Sequence, residues 1–167
     1  MRLWPRSTDK KSATLEAIFL APEAGAPVVA VAKATVGEAG LVGDRYAAQK
    51  GFWRGPDACP ITLIRAEDLD LIQRRHHLAV TAGEHRRNLV VRGLPSRQLT
   101  DGVLVLGDVR LRLTVPRPPC LYLERLTQRG MGRALRKSGG VCARIIQPGS
   151  LHAGMAIHKE HTERESP

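Results

Sequence analysis

Two apolar runs, Val103-Leu104-Val105-Leu106 and Val109 to Val115, flank the dipeptide Gly107-Asp108. That spacing predicts a β-hairpin with a tight turn. The second run alternates, with Val109, Leu111, Leu113 and Val115 on one face and Arg110, Arg112 and Thr114 on the other. A period of two is the signature of a strand half-buried against a core. Pro116-Arg117-Pro118-Pro119 then stops it, because proline removes a ladder donor.

The rest of the chain supplies further short strands: Thr14 to Leu20, Val28 to Val36, Ile61 to Ile64, Leu89 to Val91, Val141 to Ile146, and a last one near Met155 to Ile157. Helical patterns are few. Ala66 to His76 sets Leu69, Leu71 and Ile72 among charges, with Glu67, Asp68 and Asp70 early and Arg74 and Arg75 late, an order that suits the helix dipole. Shorter helices are expected over Leu121 to Leu126 and Gly132 to Leu135. Gly40 to Arg45 reads as a loop or a sharply bent strand end, and residues 47–58 as an exposed loop broken by Gly51, Gly55 and Pro56. The 167 residues make one domain over residues 14–159, with a flexible lead-in at 1–13 and a charged tail at 160–167. Many strands and few helices predict a mainly β (α+β) domain built as a closed or partly closed β-barrel.

The formal net charge of +10 suits an anionic partner such as a phosphorylated small molecule, nucleic acid or a membrane surface; the plain alternative is a solvated, Arg-rich surface. Aromatics are only 4%, so the stacking platforms of single-stranded nucleic-acid binders are missing. No run approaches a membrane span, and the start of the chain has no apolar signal region. Cys59, Cys120 and Cys142 are too few and too scattered for a disulfide scaffold and lack zinc spacing. These features predict a cytoplasmic protein.

Four segments could carry chemistry. Gly43-Asp44-Arg45 is either a turn with an exposed ion pair or part of a pocket. In Arg86-Arg87-Asn88, adjacent arginines on extended backbone point to opposite faces, so the segment is either a pocket wall, with one arginine facing in and the other solvated, or a plain polar strand entry. The planar guanidinium fork suits phosphate, and Asn88 adds a donor and an acceptor. Cys120 follows two stiff prolines, with Arg117 close enough in sequence to favour a thiolate; it is otherwise a small buried hydrophobe. Cys142 sits in an apolar run and is expected in the core, and Cys59 has no evident partner. His76, His77, His85 and His152 are available to a cysteine, but no spacing favours one.

Taken in order, these segments resemble the MOSC family, the domain at the C-terminus of molybdenum cofactor sulfurases. The resemblance spans Thr14 to Lys159. It rests on Gly40-Leu41-Val42-Gly43-Asp44-Arg45, Ile61-Thr62-Leu63-Ile64 with Glu67, Arg86-Arg87-Asn88-Leu89-Val90-Val91 with Gly93, Leu106-Gly107-Asp108, Arg117-Pro118-Pro119-Cys120 with Leu123, Gly139-Gly140-Val141, and Gly149 to Gly154. The chain is similar to the small, stand-alone bacterial members.

The resemblance implies a barrel and a molybdenum cofactor of the molybdopterin type, with or without a nucleotide extension. It implies that Cys120 is the catalytic residue and the thiolate ligand of the metal. Arg87 and Asn88 would hold the cofactor's phosphate, with Asp44, Arg45, Thr62 and Arg117 near the pocket. The implied activity is a molybdenum-dependent oxidoreductase acting on small N-hydroxylated compounds. The chain has no flavin or iron–sulfur motif, so electrons would come from a separate reductase; neither a stable nucleic-acid partner nor a membrane is expected. The alternatives are a non-enzymatic carrier of the cofactor, or of sulfur as a Cys120 persulfide, and a basic nucleic-acid-binding module. One departure stands out: Tyr46 follows Gly-Asp-Arg where many small members have histidine. A phenol offers a hydrogen bond where an imidazole could move a proton near neutrality.

Overall fold

The computed structural model describes residues 12–52, 59–119 and 121–160. The expected lead-in and tail fall mostly outside them. The strands are β1 (Ala13–Leu20), β2 (Val29–Val31), β3 (Lys33–Gly37), β4 (Gly40–Leu41), β5 (Ile61–Arg65), β6 (Leu89–Arg92), β7 (Val103–Leu106), β8 (Val109–Pro116), β9 (Val141–Gln147), β10 (Gly149–His152) and β11 (Ala156–Glu160). The helices are α1 (Ala66–His76), α2 (Leu121–Leu126) and α3 (Met131–Ala134).

Seven strands close into a barrel in the order β11-β7-β8-β9-β5-β6-β1, with β1 pairing back to β11 and β2 appended to β1. Closure leaves the seven ring strands without a free edge. The predicted hairpin is β7–β8, in register from Val103 opposite Arg112 to Leu106 opposite Val109. Val109, Leu111 and Leu113 point inward as the alternation requires. Val115 does not. The register of β8 against β9 shifts between Leu113 and Pro116, and Val115 turns out, 60% exposed. A bulge inserts an unpaired residue and so breaks the period of two.

The Val28 to Val36 stretch is two strands rather than one. β2 joins the barrel, whereas β3 pairs with β10 and β4 in a separate three-stranded sheet. Strands β5 and β6 are parallel and joined through α1, the crossover that parallel pairing requires. Strand β5 is buried on both faces: Ile61 and Leu63 enter the barrel core, while Ile64 packs with Leu69 and Ile72 of α1 and with Leu123, Met131 and Leu135. The helices thus form a second layer against one wall of the barrel. No described helix is long and apolar enough to cross a membrane.

Cys142 is buried in β9, as its apolar run implies, but it has a partner. Cys59 and Cys142 form a disulfide across 83 residues of sequence. The expectation that Cys59 stands alone is therefore corrected. Register explains the pairing. Thr62 lies opposite Cys142, so Cys59, just before β5, reaches the same stretch of β9.

Candidate functional site

The site grows from the turn after β4. Asp44 is fully buried, and its carboxylate accepts hydrogen bonds from the Ala21 N–H (3.0 Å), the Tyr46 N–H (3.2 Å) and the Arg45 guanidinium (3.2 Å). The Gly-Asp-Arg ion pair is thus internal, with side chains 0% and 6% exposed, and not the solvent-exposed turn. A buried charge persists only when paired and hydrogen-bonded, and Asp44 meets both conditions. Arg45 in turn donates to the Arg86 carbonyl (3.2 Å) and lies over the Tyr46 ring, 4.5 Å from its centroid.

The second contribution comes from the entry to β6. Arg86 has φ of 56°, in the left-handed region that a non-glycine residue rarely occupies. That kink cancels the alternation expected of extended backbone. Arg86 and Arg87 therefore line the same cleft instead of facing opposite ways. Such strained backbone tends to gather at functional sites. Arg87 is buried and donates to the carbonyls of Gly139 (2.7 Å), His85 (3.2 Å) and Arg117 (3.5 Å). It holds the Gly139 and Arg117 backbones beside the cleft.

Arg117, just after β8, donates to the Tyr46 hydroxyl (3.0 Å). The Tyr46 phenol is thus a hydrogen-bond acceptor held by an arginine. Tyr122 of α2 completes the wall and stacks on Phe52, with centroids 4.2 Å apart. The resulting cleft collects four guanidinium groups, from Arg45, Arg86, Arg87 and Arg117, around a volume of 40 Å³. That is room for about three water-sized groups. Burial, and then the neighbouring Arg45 guanidinium, push the Arg86 guanidinium below its ordinary pKa. Crowded cations of this kind favour an anion between them.

Asn88 and Thr62 do not line the cleft. They face each other in the barrel wall. Asn88 Oδ1 accepts from the Thr62 N–H (3.1 Å) and hydroxyl (3.0 Å), Thr62 Oγ1 accepts from the Asn88 N–H (2.9 Å), and Asn88 Nδ2 donates to the Phe19 carbonyl (3.2 Å). This knot joins β5, β6 and β1 immediately behind Arg87. Cys120 lies outside the described residues. Arg117 and Tyr122, on either side of it in sequence, both line the cleft. No cluster of metal-ligating side chains occurs among the described residues.

Sequence reasoning passed over Tyr122 and Phe52, and it missed that both members of the Arg86-Arg87 pair face the cleft. It also left His85 as one histidine among several. His85 is fully buried, its ring edge-on to Phe19, and its Nδ1 accepts the Arg87 N–H (3.0 Å). The proton therefore sits on Nε2, which has no hydrogen-bond partner among the described residues. Burial and the Arg87 charge lower the His85 pKa to about 3. Between there and its unfolded value near 6.5 the unfolded chain binds more protons, so this contribution is complete above about pH 6.5 and is lost as pH falls toward 3. Acid melts should show stability falling by on the order of 1 kcal/mol per pH unit in that window, and His85→Asn should flatten the slope.

A family model described as the MOSC domain matches residues 51–158. Among curated proteins none matches the sequence. The fold is similar to that of the YuaD protein from Bacillus subtilis, at a TM-score of 0.72 and 17% identity, covering 87% of this chain and 94% of that one. It is also similar to YiiM from Geobacillus stearothermophilus, at a TM-score of 0.63 and 18% identity, covering 89% of this chain and 75% of that one. YiiM from Escherichia coli gives a TM-score of 0.63 and 18% identity, covering 90% of this chain and 71% of that one. With the family model spanning well over half of its length, and a closed barrel carrying the ordered motifs, the chain belongs to the MOSC domain family.

Proposed function

We propose that this protein binds a molybdenum cofactor through its phosphate and reduces small N-hydroxylated compounds. The carrying observation is the four-arginine cleft, in which the nearest carboxylate, Asp44, is wholly engaged by hydrogen bonds behind it. The donor set fits a phosphoryl group in charge and in the forked geometry of its donors. The four arginines differ in role. Arg45 and Arg87 are buried and tied to carboxylate and backbone carbonyls, so they supply fixed positive potential. Among the described residues Arg86 donates one hydrogen bond, to the Ala26 carbonyl, and Arg117 one, to Tyr46, so each keeps N–H groups for a ligand. Five donors per guanidinium make this possible. Asn88, Thr62 and Asp44 are positioning residues that hold the wall behind the phosphate.

When bound, the cofactor would supply two-electron oxygen removal, R–NH–OH plus two electrons and two protons giving R–NH₂ and water. Cys120 would provide the thiolate that anchors the metal, an assignment carried by its family motif and by the cleft-lining residues on either side. The stacked Phe52–Tyr122 pair would exclude water at the mouth. Electrons would arrive from a separate donor.

The test has two arms. Arg86→Ala and Arg117→Ala should each weaken pyrophosphate binding about tenfold or more in calorimetry, given the ~1.5–3 kcal/mol of a hydrogen bond to a charged group, with the melting curve little changed. Protein purified from a cofactor-producing host should carry stoichiometric molybdenum and reduce an N-hydroxylated base, and Cys120→Ser should abolish that reduction with the circular dichroism spectrum intact. Full activity in Cys120→Ser would sink the ligand assignment. A persulfide on Cys120 without molybdenum would replace this reading with the carrier.

A further inference from the structure

The charge of this protein is not used up by the cleft. Around α3 and the end of α1, the cations Arg75, Arg129, Arg133, Arg136 and Lys137 crowd one surface, with the imidazole of His76 beside them. All six are exposed, and none has an ion-pair partner among the described residues. Of the nearby carboxylates, Asp68 pairs with Arg65, and Glu124, which accepts the Gly132 N–H, is one negative charge against several positive ones.

Three grooves cross this surface and meet at Arg136. One of them runs past Pro116 and Pro118 to Arg117, which also lines the four-arginine cleft. Another is floored by Leu78, Pro118, Pro119 and Leu121, and Leu121 is 77% exposed. The result is an apolar centre beside the cleft, rimmed by arginine.

We infer that this surface docks an acidic protein, the electron donor of the site; the inference rests on the reading that reducing equivalents come from outside the chain. An apolar centre within a rim of arginines is the anatomy of a protein–protein contact. Unpaired cations on one face would repel a basic partner and speed encounter with an acidic one. Single-stranded nucleic acid fits less well, because among the described residues no tyrosine, phenylalanine or tryptophan lines the three grooves to stack a base. Continuity through Arg117 brings the partner against the cleft, where a donor's redox group must come.

The probe is a small acidic bacterial flavodoxin, with binding to the full chain measured by calorimetry. Wild type should bind at about 50 mM salt and weaken steeply by about 300 mM. The double variant Arg133→Glu, Arg136→Glu should lose about tenfold or more in affinity, as expected for reversed charges at a steered interface, while pyrophosphate still binds the cleft. The control, Arg112→Glu with Arg144→Glu, changes the net charge equally but on exposed positions paired across β8 and β9. Its flavodoxin affinity should stay within about twofold of wild type. An equal loss in the control, or no binding by wild type, would overturn the docking surface. Tighter binding to duplex DNA than to flavodoxin, abolished by the double variant, would give the surface to nucleic acid instead. Failure of pyrophosphate to bind wild type would count against the cleft, not against this surface.

Discussion

Asp44→Ala is expected to destabilise the protein by about 3–5 kcal/mol, the usual loss when one member of a buried ion pair is removed. In a chain of this size that lowers the melting temperature by about 10 °C. The reason lies in what the carboxylate leaves behind. The Ala21 and Tyr46 N–H groups would be buried without acceptors, and Arg45, only 5% exposed, would keep a charge with no counter-ion. Asp44→Asn should fall between, because its amide NH₂ would replace the oxygen that accepts the Tyr46 N–H. Adding Arg45→Ala to Asp44→Ala should recover part of the loss by removing the stranded charge. If the double variant melts no higher than Asp44→Ala, the ion pair is not the source of the effect. Pyrophosphate binding should also drop in any folded Asp44→Ala, because the turn sets the positions of Arg45 and Tyr46 in the cleft wall.

The second large effect belongs to Gly140. A Cβ there would lie 2.1 Å from the Leu63 carbonyl oxygen, a backbone atom of a central barrel strand that cannot step aside. Its φ of +88° adds a further cost of about 1–2 kcal/mol for any L side chain. Gly140 also accepts the Arg117 N–H through its carbonyl, while the Gly139 carbonyl accepts Arg87. Gly140→Ala should therefore either fail to yield folded protein or melt more than about 10 °C lower, with weakened pyrophosphate binding in whatever folds. Gly154 provides the comparison. Its φ is +89°, but nothing lies within 4 Å of where a Cβ would stand, so Gly154→Ala should show only the conformational part, about 1–2 kcal/mol. Similar melting temperatures for the two variants would refute the steric argument.

The double glycine is legible in sequence as a motif, yet its reason is not. Gly139 and Gly140 are required because backbones approach closely there, and the one that Gly140 meets, at Leu63, belongs to a strand far earlier in the chain. The same holds for Thr62 and Asn88. Each sits beside apolar strand residues and could read as a pocket group, but parallel pairing of β5 and β6 brings them together, and each satisfies the other. The short strand β10 escaped detection because glycine, serine and histidine give no apolar alternation to read, whereas β4 is the bent strand end that Gly40 to Arg45 allowed.

Local sequence by itself determined the β7–β8 hairpin and the inward face of β8 as far as Leu113. It also determined the α1 helix with its ordered charges, the basic balance, and the series of motifs that marks the family. Those signals are local because backbone geometry ties side-chain direction to position along one element. Tertiary structure alone decided the Cys59–Cys142 disulfide, the outward turn of Val115, and the meeting of Arg45, Arg86, Arg87 and Arg117 in one cleft. Four like charges repel, so no local preference gathers them. They are held together because barrel closure fixes the strand ends that carry them, and because the Asp44 carboxylate and the carbonyls of Ala26, Arg86 and Gly139 offset the cost of their burial.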